Sequence, residues 1–318
     1  MLGTPFFFWK RSISRKLCLI EKSNSLVKNI ENSITLPRIP RGHTLNTDRK
    51  LMHSYLTGLI EGNGNIYIPL DKEKVGRPSI SISFPTKDLP LFLLIQKEIN
   101  HGNIYKIKGK NAYSYLIGNL DGIVLVISYI NGLMRTKKIL KLYELIDFLN
   151  MKYPNLYNIV KLPLDNSDIG SNSWLAGFTE ADGSFYVRVT KNSNCQTHKV
   201  HCKYELVQAY DNNNIYTFNI MTKICEFLLV DLKVKKHNNE LFWISTNTYN
   251  SNNILIDYFN KYSLYGTKYL DYLDWCKILN ILKNKEKEIK LELIKNIKNN
   301  MNSKRTYFSW NHINNFHL

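Results

Sequence analysis

Two short glycine-rich segments of the chain each carry, next to their final glycine, a polar side chain of a type that can take part in catalysis. The first reads LTGLIEGNG and begins at Leu56, and the second reads LAGFTEADG and begins at Leu175. Their eighth residues are Asn63 and Asp182. Oxygen ligands of this kind favour Mg²⁺, and two carboxylates at one point can hold divalent metals against a phosphodiester during in-line displacement.

The two segments belong to an internal repeat, because the second copy begins 119 residues after the first. Each copy runs from an aromatic residue, Tyr55 or Trp174, through Leu-small-Gly-apolar to Glu-small-polar-Gly. The residues that follow alternate between apolar and polar, which indicates a strand. Each half of the chain therefore reads as α-β-β-α-β-β-α, and the predicted fold class is α+β.

The same periodicities predict further elements in each half and a linker between the halves. Strands are predicted at residues 79–84, 102–108, 113–118, 203–209, 230–236 and 241–246. Helices are predicted at residues 89–99, 121–131, 139–149, 216–229, 251–262, 269–282 and 283–298. We divide the chain into an N-terminal leader or extension (1–50), a first repeat (51–152), a linker rich in turn-forming residues (153–173) and a second repeat with a C-terminal helical tail (174–318).

Small residues on the two motif helices predict that these helices pack against each other. They are Gly58 and Gly62 in the first motif, and Gly177 and Ala181 in the second. Small residues one turn apart allow two helix backbones to approach closely. If the helices pack side by side, the two eighth residues meet at the centre of the molecule.

The overall charge favours a polyanionic partner. The chain has 43 Lys and Arg against 26 Asp and Glu, a formal net charge of +17. Such an excess repels itself unless a polyanion shares the surface, so nucleic acid is the first partner to consider. A basic solvated surface or a codon bias toward Lys is the alternative, since Asn, Lys, Ile and Tyr are the residues that AT-rich codons specify.

Composition also bears on the compartment. The 5 Cys contain no CxxC pair, which argues against a secreted disulfide framework. No uncharged apolar run reaches the ~18 residues that a bilayer span needs, so no membrane association is expected. The first twenty residues contain four basic residues and no acid. This fits a mitochondrial presequence, or a leftover leader on an organelle-encoded reading frame, and both predict a mitochondrial location.

The paired motifs resemble those of LAGLIDADG homing endonucleases and their maturase relatives. The resemblance runs from about residue 53 to the end of the chain, where MNSKRTYFSWNH is similar to the tail of organellar intron-encoded members. It implies a pseudo-two-fold pair of repeats whose two antiparallel sheets form a saddle over double-stranded DNA, with the motif helices at the interface. We expect a monomer that carries both repeats.

The resemblance further implies that the eighth residue of each motif is a catalytic metal ligand, normally Asp or Glu, with Mg²⁺ or Mn²⁺ as the cofactor. Asp182 matches this pattern, but Asn63 keeps one oxygen and loses the charge. Such a loss beside a divalent ion costs on the order of several kcal/mol at an effective dielectric near 20. We therefore expect the step served by Asn63 to slow roughly a hundredfold or more, and double-strand cleavage to be impaired.

Members of the family also place a basic residue near each active site, before the last helix of each repeat. The matching stretches are MRTKKI, with Lys137 and Lys138, and YGTKYL, with Lys268. A lysine there can stabilise developing phosphorane charge or polarise the attacking water. We assign this role to Lys138 and Lys268, although the sequence leaves the choice between Lys137 and Lys138 open. A solvated or phosphate-contacting lysine is the alternative for each.

Nucleic-acid contacts are predicted on the strands, because strand side chains can read base edges in the major groove. The candidates are Tyr67, Ser81 and Ser83 in the first half, and Tyr186, Arg188, Lys203 and Gln208 in the second. Alternation directs half of any strand to the opposite face, so a candidate on the wrong face would not contact the nucleic acid.

Three functions compete on this evidence. The first is a site-specific DNA endonuclease that spreads its own intron, supported by Asp182 and opposed by Asn63. The second is an RNA-binding maturase that assists splicing of a group I intron without nuclease activity, since the basic surface would serve RNA equally well. The third is a structural protein of an organellar RNA–protein particle, supported by the charge alone. We favour the endonuclease with damaged cleavage.

Overall fold

The computed structural model describes residues 45–69, 76–191, 197–210, 215–237 and 239–315. All of them belong to the compact unit Thr44–Leu318, and a second unit, Met1–His43, lies outside the described residues. The predicted N-terminal extension is therefore described only from Leu45, where the first helix already begins.

The first repeat consists of four strands and the helices that pack on them. In chain order its elements are α1 (Leu45–Asn63), β1 (Gly64–Tyr67), β2 (Ser79–Pro85), α2 (Leu89–Ile99), β3 (Asn103–Lys106), β4 (Ala112–Ile117), α3 (Leu120–Ile130) and α4 (Ile139–Lys152). The strands form an antiparallel sheet in the order β1-β2-β4-β3. Each element predicted after the first motif is present, with its ends shifted by a few residues.

The second repeat follows the same plan. Its elements are α5 (Trp174–Asp182), β5 (Gly183–Lys191), β6 (His198–Ala209), α6 (Ile215–Leu228), β7 (Lys233–His237), β8 (Asn239–Ser245), α7 (Tyr249–Lys261), α8 (Lys268–Lys283) and α9 (Leu291–Asn299). The strands form an antiparallel sheet in the order β5-β6-β8-β7, which repeats the order of the first sheet. The α+β fold class with two related antiparallel sheets is confirmed.

The two largest boundary errors in the second repeat concern β6 and the last helix. Strand β6 begins at His198 instead of residue 203, because it pairs with β5 as far as Lys191. The last helix begins only at Leu291 instead of residue 283. The chain leaves α8 through a turn in which Lys285 has φ 58° and the Glu286 N–H donates to the C=O of Ile281, so the helical pattern cannot continue there.

Each sheet has one face in the hydrophobic core and one open face. Along β2 the buried side chains Ile80, Ile82 and Phe84 alternate with partly or fully exposed serines. Along β5 the buried Phe185 and Val187 alternate with exposed neighbours in the same way. Burial of each large apolar side chain contributes about 1.5–3 kcal/mol, which fixes the register because a one-residue slip would expose the whole set.

The motif helices α1 and α5 pack against each other at the centre of the molecule, with glycines at the contact. A Cβ on Gly58 would lie 2.1 Å from the C=O oxygen of Trp174, and one on Gly177 would lie 1.9 Å from that of Tyr55. Neither distance admits a side chain, so the two backbones touch directly. The predicted pairing of the motif helices is confirmed by this contact.

No helix among the described residues is both long and apolar enough to cross a membrane.

Candidate active site

The C-terminal ends of α1 and α5 lie side by side and bring the two eighth motif residues to one place. A Cβ on Gly62 would lie 2.2 Å from the Cβ of Ala181 and 3.3 Å from Oδ2 of Asp182. Asp182 is half-buried there, and Asn63 is exposed. All four predicted interface residues, Gly58, Gly62, Gly177 and Ala181, therefore lie where the helices meet.

Asp182 is held by a side chain from the adjacent sheet. Gln208 Nε2 donates a hydrogen bond to Asp182 Oδ2 over 2.8 Å. This hydrogen bond fixes one carboxylate oxygen of Asp182, and the C-terminal end of α5 sets the position of the residue itself. The equivalent of Gln208 in the first repeat is Phe84, because Gly64 pairs with Ile82 and Gly183 pairs with Leu206.

The two repeats therefore provide different surroundings for their eighth residues. Asp182 has a carboxylate and a hydrogen-bond donor from β6, whereas Asn63 has an amide and lines a cavity of about 160 Å³ with Phe84. The Phe84 ring stacks on the Phe92 ring at a centroid distance of 3.6 Å. Because a phenyl ring has no hydrogen-bond donor, Phe84 cannot replace Gln208 in this role. The first repeat therefore lacks both the carboxylate and the hydrogen-bond donor that the second repeat provides.

A lysine occupies the end of each motif helix. Lys138 Nζ donates to the C=O groups of Ile60, at 2.9 Å, and Gly64, at 2.6 Å. Lys268 Nζ donates to the C=O of Thr179 at 2.8 Å, and Thr179 is the motif equivalent of Ile60. Each ammonium satisfies carbonyls left open at a helix C-terminus and faces the negative end of the helix dipole.

These contacts distinguish between the two lysines that the sequence left open in the first repeat. Lys138 is the residue at the helix end, whereas the Lys137 side chain is exposed. Burial lowers the pKa of both Lys138 and Lys268, while the negative charge of Asp182 acts to raise the pKa of each lysine. Both lysines therefore lie within electrostatic reach of Asp182.

Two glutamates, the buried Glu61 and the half-buried Glu180, connect the motif helices to the loops that carry the lysines. Glu61 accepts from the backbone N–H groups of Arg135, at 3.0 Å, and Thr136, at 2.6 Å. Glu180 accepts from those of Tyr265 and Gly266, both at 3.0 Å. Burial raises the pKa of each glutamate.

The same glutamates also connect the two repeats. Glu61 accepts from Trp174 Nε1 at 2.6 Å, and Glu180 accepts from the Tyr55 hydroxyl at 3.2 Å. Trp174 and Tyr55 are the aromatic residues that precede the opposite motif. These contacts place Glu61 and Glu180 at the interface between the two repeats.

One acidic residue near the site had no signal in the sequence. Asp88, in the turn after β2, accepts from the backbone N–H of Thr267 at 2.7 Å and so joins the first repeat to the loop before Lys268. Asp88, Lys268 and Asn63 line the same cavity. Only the tertiary fold brings these residues together, because Asp88 and Thr267 are 179 positions apart.

Most of the predicted nucleic-acid contacts lie on the open faces of the sheets. Tyr67 is 50% exposed and Ser83 is exposed, and Ser81 lies on the same face as Ser83. In the second sheet, Tyr186 is 41% exposed and pairs directly with Lys203, and Arg188 is exposed two residues further along β5. These six side chains are therefore available to a ligand.

Gln208 is the exception and lies on the opposite face of β6. It pairs with the buried Phe242, whereas the open face at this end of β6 carries Val207. Residues five apart on a regular strand point to opposite faces, so Gln208 and Lys203 cannot share one. The structure places Gln208 at Asp182 instead.

The two open faces differ in charge. On the second sheet, three lysines surround the ring of Trp243, with Nζ-to-centroid distances of 5.9 Å for Lys203, 5.4 Å for Lys233 and 3.5 Å for Lys235. The open face of β1 and β2 carries neutral polar side chains, among them Asn65 and Ser81, which pair with each other. The open face of the second sheet therefore carries a cluster of positive charge around Trp243 that the open face of β1 and β2 lacks.

The paired helix ends fit a hard divalent cation held jointly with a phosphate group. No cluster of three or more His, Cys, Asp or Glu side chains within the described ranges is placed to hold a metal by itself. Mg²⁺ characteristically binds through one or two carboxylates together with substrate phosphates. The half-buried carboxylate of Asp182 and the exposed amide oxygen of Asn63 suit that role.

A family comparison agrees with this geometry over both repeats. The sequence model of the LAGLIDADG endonuclease family matches residues 56–149 and 175–279. The two matched regions begin at the first leucine of each motif and include β1–β4 and β5–β8. The chain belongs to the LAGLIDADG endonuclease family.

Individual relatives extend the similarity over most of the chain. The chain is 35% identical to the intron-encoded DNA endonuclease aI3 of Saccharomyces cerevisiae over 312 residues, covering 86% of this chain and 74% of the relative. It is 28% identical to a cox1 intron-2 protein of 37.2 kDa from Schizosaccharomyces pombe, covering 83% of this chain and 76% of the relative.

Solved structures share the fold of this LAGLIDADG chain. The homing endonuclease I-LtrWI, bound to target DNA, matches with a TM-score of 0.65 and 21% identity, covering 81% of this chain and all of that one. The homing endonuclease I-GzeII, in complex with its DNA target, matches with a TM-score of 0.62 and 22% identity, covering 80% of this chain and 99% of that one. At this identity the match establishes the fold alone.

Proposed function

We propose that the protein is a site-specific DNA endonuclease of the homing type that cuts one strand of its target much faster than the other. The observation that carries the proposal is the unequal pair of helix ends. Asp182 has Gln208 as a donor at 2.8 Å, while Asn63 has an amide in place of the carboxylate and lines a cavity with Phe84, the equivalent of Gln208. Family membership and the DNA-bound relatives of the same fold support DNA as the substrate.

Asp182 would hold a Mg²⁺ or Mn²⁺ ion against the scissile phosphate, with the amide oxygen of Asn63 as a weaker, uncharged ligand. Such an ion stabilises the charge that develops on the phosphate oxygens during displacement. Gln208 fixes the orientation of the Asp182 carboxylate through its hydrogen bond. Pre-set orientation of this kind lowers the reorganisation required in the transition state.

The lysines contribute positive charge at the same place. Lys138 and Lys268 lie at the ends of the two motif helices, and both have Asp182 among the acids that influence them. Each can stabilise the extra negative charge of the pentacovalent phosphorus or polarise the attacking water. Because burial already lowers the pKa of each ammonium, interaction with a phosphate would favour its charged form.

The open sheet faces would bind the duplex on either side of the cut. Tyr186, Arg188 and Lys203 on the second sheet, and Tyr67, Ser81 and Ser83 on the first, are the side chains proposed to reach the DNA. A single chain supplies both sheets and both motif helices, so a monomer suffices. We place the protein in the mitochondrion, in keeping with its AT-biased composition and the cox1 intron named for one relative.

A maturase that binds a group I intron RNA is the second candidate. Asn63 favours it, because loss of one catalytic acid is what relaxed selection on cleavage permits. The +17 charge would serve RNA through the same electrostatics as DNA. The fold supports both candidates equally. We prefer the nuclease because Asp182 and the hydrogen bond that Gln208 donates to it are both present.

A plasmid assay tests the proposal. Supercoiled DNA carrying the intronless junction of the host gene is mixed with protein and Mg²⁺, and its topology is followed. We expect nicked circles that vanish with Asp182→Asn but persist with Asp168→Asn, which removes a charge from the exposed linker. Unchanged plasmid together with tight binding to the intron RNA would refute the nuclease and support the maturase.

A further inference from the structure

The chain beyond α9 folds back onto the second repeat close to the proposed site. Asn302 Nδ2 donates to the C=O of Phe185 in β5 at 3.0 Å, and its backbone N–H donates to Asp271 in α8 at 2.8 Å. Arg305 forms part-buried ion pairs with Asp271, at 2.9 Å, and Asp274, at 2.6 Å. These contacts anchor the start of the tail on α8, the helix that Lys268 begins.

The end of the tail reaches the loop immediately before Lys268. His312 Nε2 lies 3.0 Å from the C=O oxygen of Tyr265 and 3.2 Å from that of Gly266. Both partners are acceptors, so Nε2 carries the proton and donates, and burial lowers the pKa of His312 and so favours the neutral ring. The ring also stacks on Tyr269 at a centroid distance of 4.4 Å and on Trp310 at 5.6 Å.

The two residues that His312 contacts are also the two that Glu180 binds. Tyr265 and Gly266 each donate a backbone N–H to Glu180 over 3.0 Å, while their carbonyls face His312. Two residues later, Lys268 donates to the end of the motif helix. The loop is therefore held through its N–H groups by the motif helix and through its C=O groups by the tail.

The first repeat has a related arrangement made by a different segment. The linker residue Asp165 donates its backbone N–H to the C=O of Met134 at 2.8 Å, in the loop before Lys138. Its side chain pairs with the buried Arg135 at 2.7 Å. A segment that follows each repeat's helices therefore contacts the loop before the lysine. In the first repeat this segment is the linker after α4, and in the second it is the tail after α9.

We infer that His312 is a positioning residue for the second half of the nuclease site, holding the Tyr265–Gly266 loop so that Lys268 stays at the end of the motif helix. The inference rests on the proposed function for its catalytic consequence. The contact itself is independent of that function. Without His312, the loop would keep its hydrogen bonds to Glu180 but lose the hydrogen bonds from His312 to its carbonyl groups. The stacking of the His312 ring on Tyr269 would be lost as well.

Hydrogen exchange tests the contact without any need for activity. We compare the full chain with His312→Ala, with His312→Gln, and with Tyr307→Ala as a control in the same tail, where Tyr307 is 80% exposed. In His312→Ala, amides in residues 263–270 should exchange about tenfold faster, while residues 132–138 stay unchanged. Tenfold corresponds to about 1.4 kcal/mol of lost protection. His312→Gln keeps an N–H donor near the position of Nε2 and should restore part of the protection.

Single-turnover nicking then tests the consequence for the reaction. At saturating DNA, His312→Ala should lower the rate constant about tenfold while the DNA dissociation constant changes less than twofold, and Tyr307→Ala should match the wild type. Unchanged exchange at residues 263–270, or equally faster exchange in both loops, would overturn the inference. If the wild type cuts no DNA, the proposed function fails, and the exchange data still decide whether His312 holds the loop.

Discussion

Substitution of Gly177 by alanine should damage the fold and the site together, because the two motif helices touch at this residue. The added Cβ would lie 1.9 Å from the C=O oxygen of Tyr55 and 3.0 Å from the backbone nitrogen of Leu59. Ordinary contact begins near 3.4 Å, so the two helix backbones must separate by about 1.5 Å at this point. Both obstacles are main-chain atoms, which cannot rotate away.

The magnitude of each effect follows from this displacement. Overpacking of a close contact of this kind lowers the free energy of unfolding by about 1–3 kcal/mol. A displacement of ~1 Å at a catalytic constellation can cost on the order of a hundredfold in rate. Because Asp182 lies on the same helix as Gly177 and Asn63 lies on the other, the separation should reach the site directly.

Urea unfolding followed by tryptophan fluorescence, and plasmid nicking at saturating protein, measure the two quantities. Gly118→Ala is the matched control, since a Cβ at Gly118 meets nothing within 4 Å. We expect Gly118→Ala to behave as the wild type in both assays. If Gly177→Ala and Gly118→Ala were equally stable and equally active, the direct backbone contact that we describe would be incorrect.

Three further substitutions test the roles of Gln208, Lys235 and Glu61 separately. Gln208→Leu removes the donor to Asp182 without changing charge and should slow nicking roughly tenfold or more at unchanged DNA affinity; an equal loss of affinity would instead assign Gln208 to DNA binding. Lys235→Gln should reduce the slope of log K against log salt by about 0.9 if this lysine neutralises one phosphate, whereas an unchanged slope would exclude it from the interface. Glu61→Gln places an amide NH₂ among donors and should lower the free energy of unfolding by about 1–3 kcal/mol in a urea titration, and an unchanged midpoint would contradict the role given to this buried acceptor.

The sequence predicted those features that repeat or alternate. Two copies of one motif carried the pseudo-symmetry, and small residues such as Gly58 predicted the helix contact, because nothing larger fits between two touching backbones. The alternation of Ile80 and Ile82 with serines placed the core face of β2. These signals are local, and so they can be recognised in the sequence.

The features that the sequence missed depend on contacts between distant segments. Asp88 and His312 act on the loop before Lys268 from separate parts of the chain. Asp88 lies in no motif, and the tail segment that ends at His312 gives no indication of what the histidine contacts. The choice of Lys138 over Lys137 depended on the exact start of α4, and sequence periodicity fixes a helix end only to within a few residues. Gln208 was predicted to contact nucleic acid together with Lys203, although residues five apart on one strand point to opposite faces.

A strand-resolved cleavage assay measures whether the two strands of the target are cut at different rates. A duplex that carries the junction sequence is labelled separately on each strand, and single-turnover rates are measured with Mg²⁺ for the wild type and for Asn63→Asp. We expect the wild type to cut one strand at least about a hundredfold faster than the other, and Asn63→Asp to accelerate cleavage of the slow strand. Equal rates on both strands of the wild-type reaction would contradict this expectation.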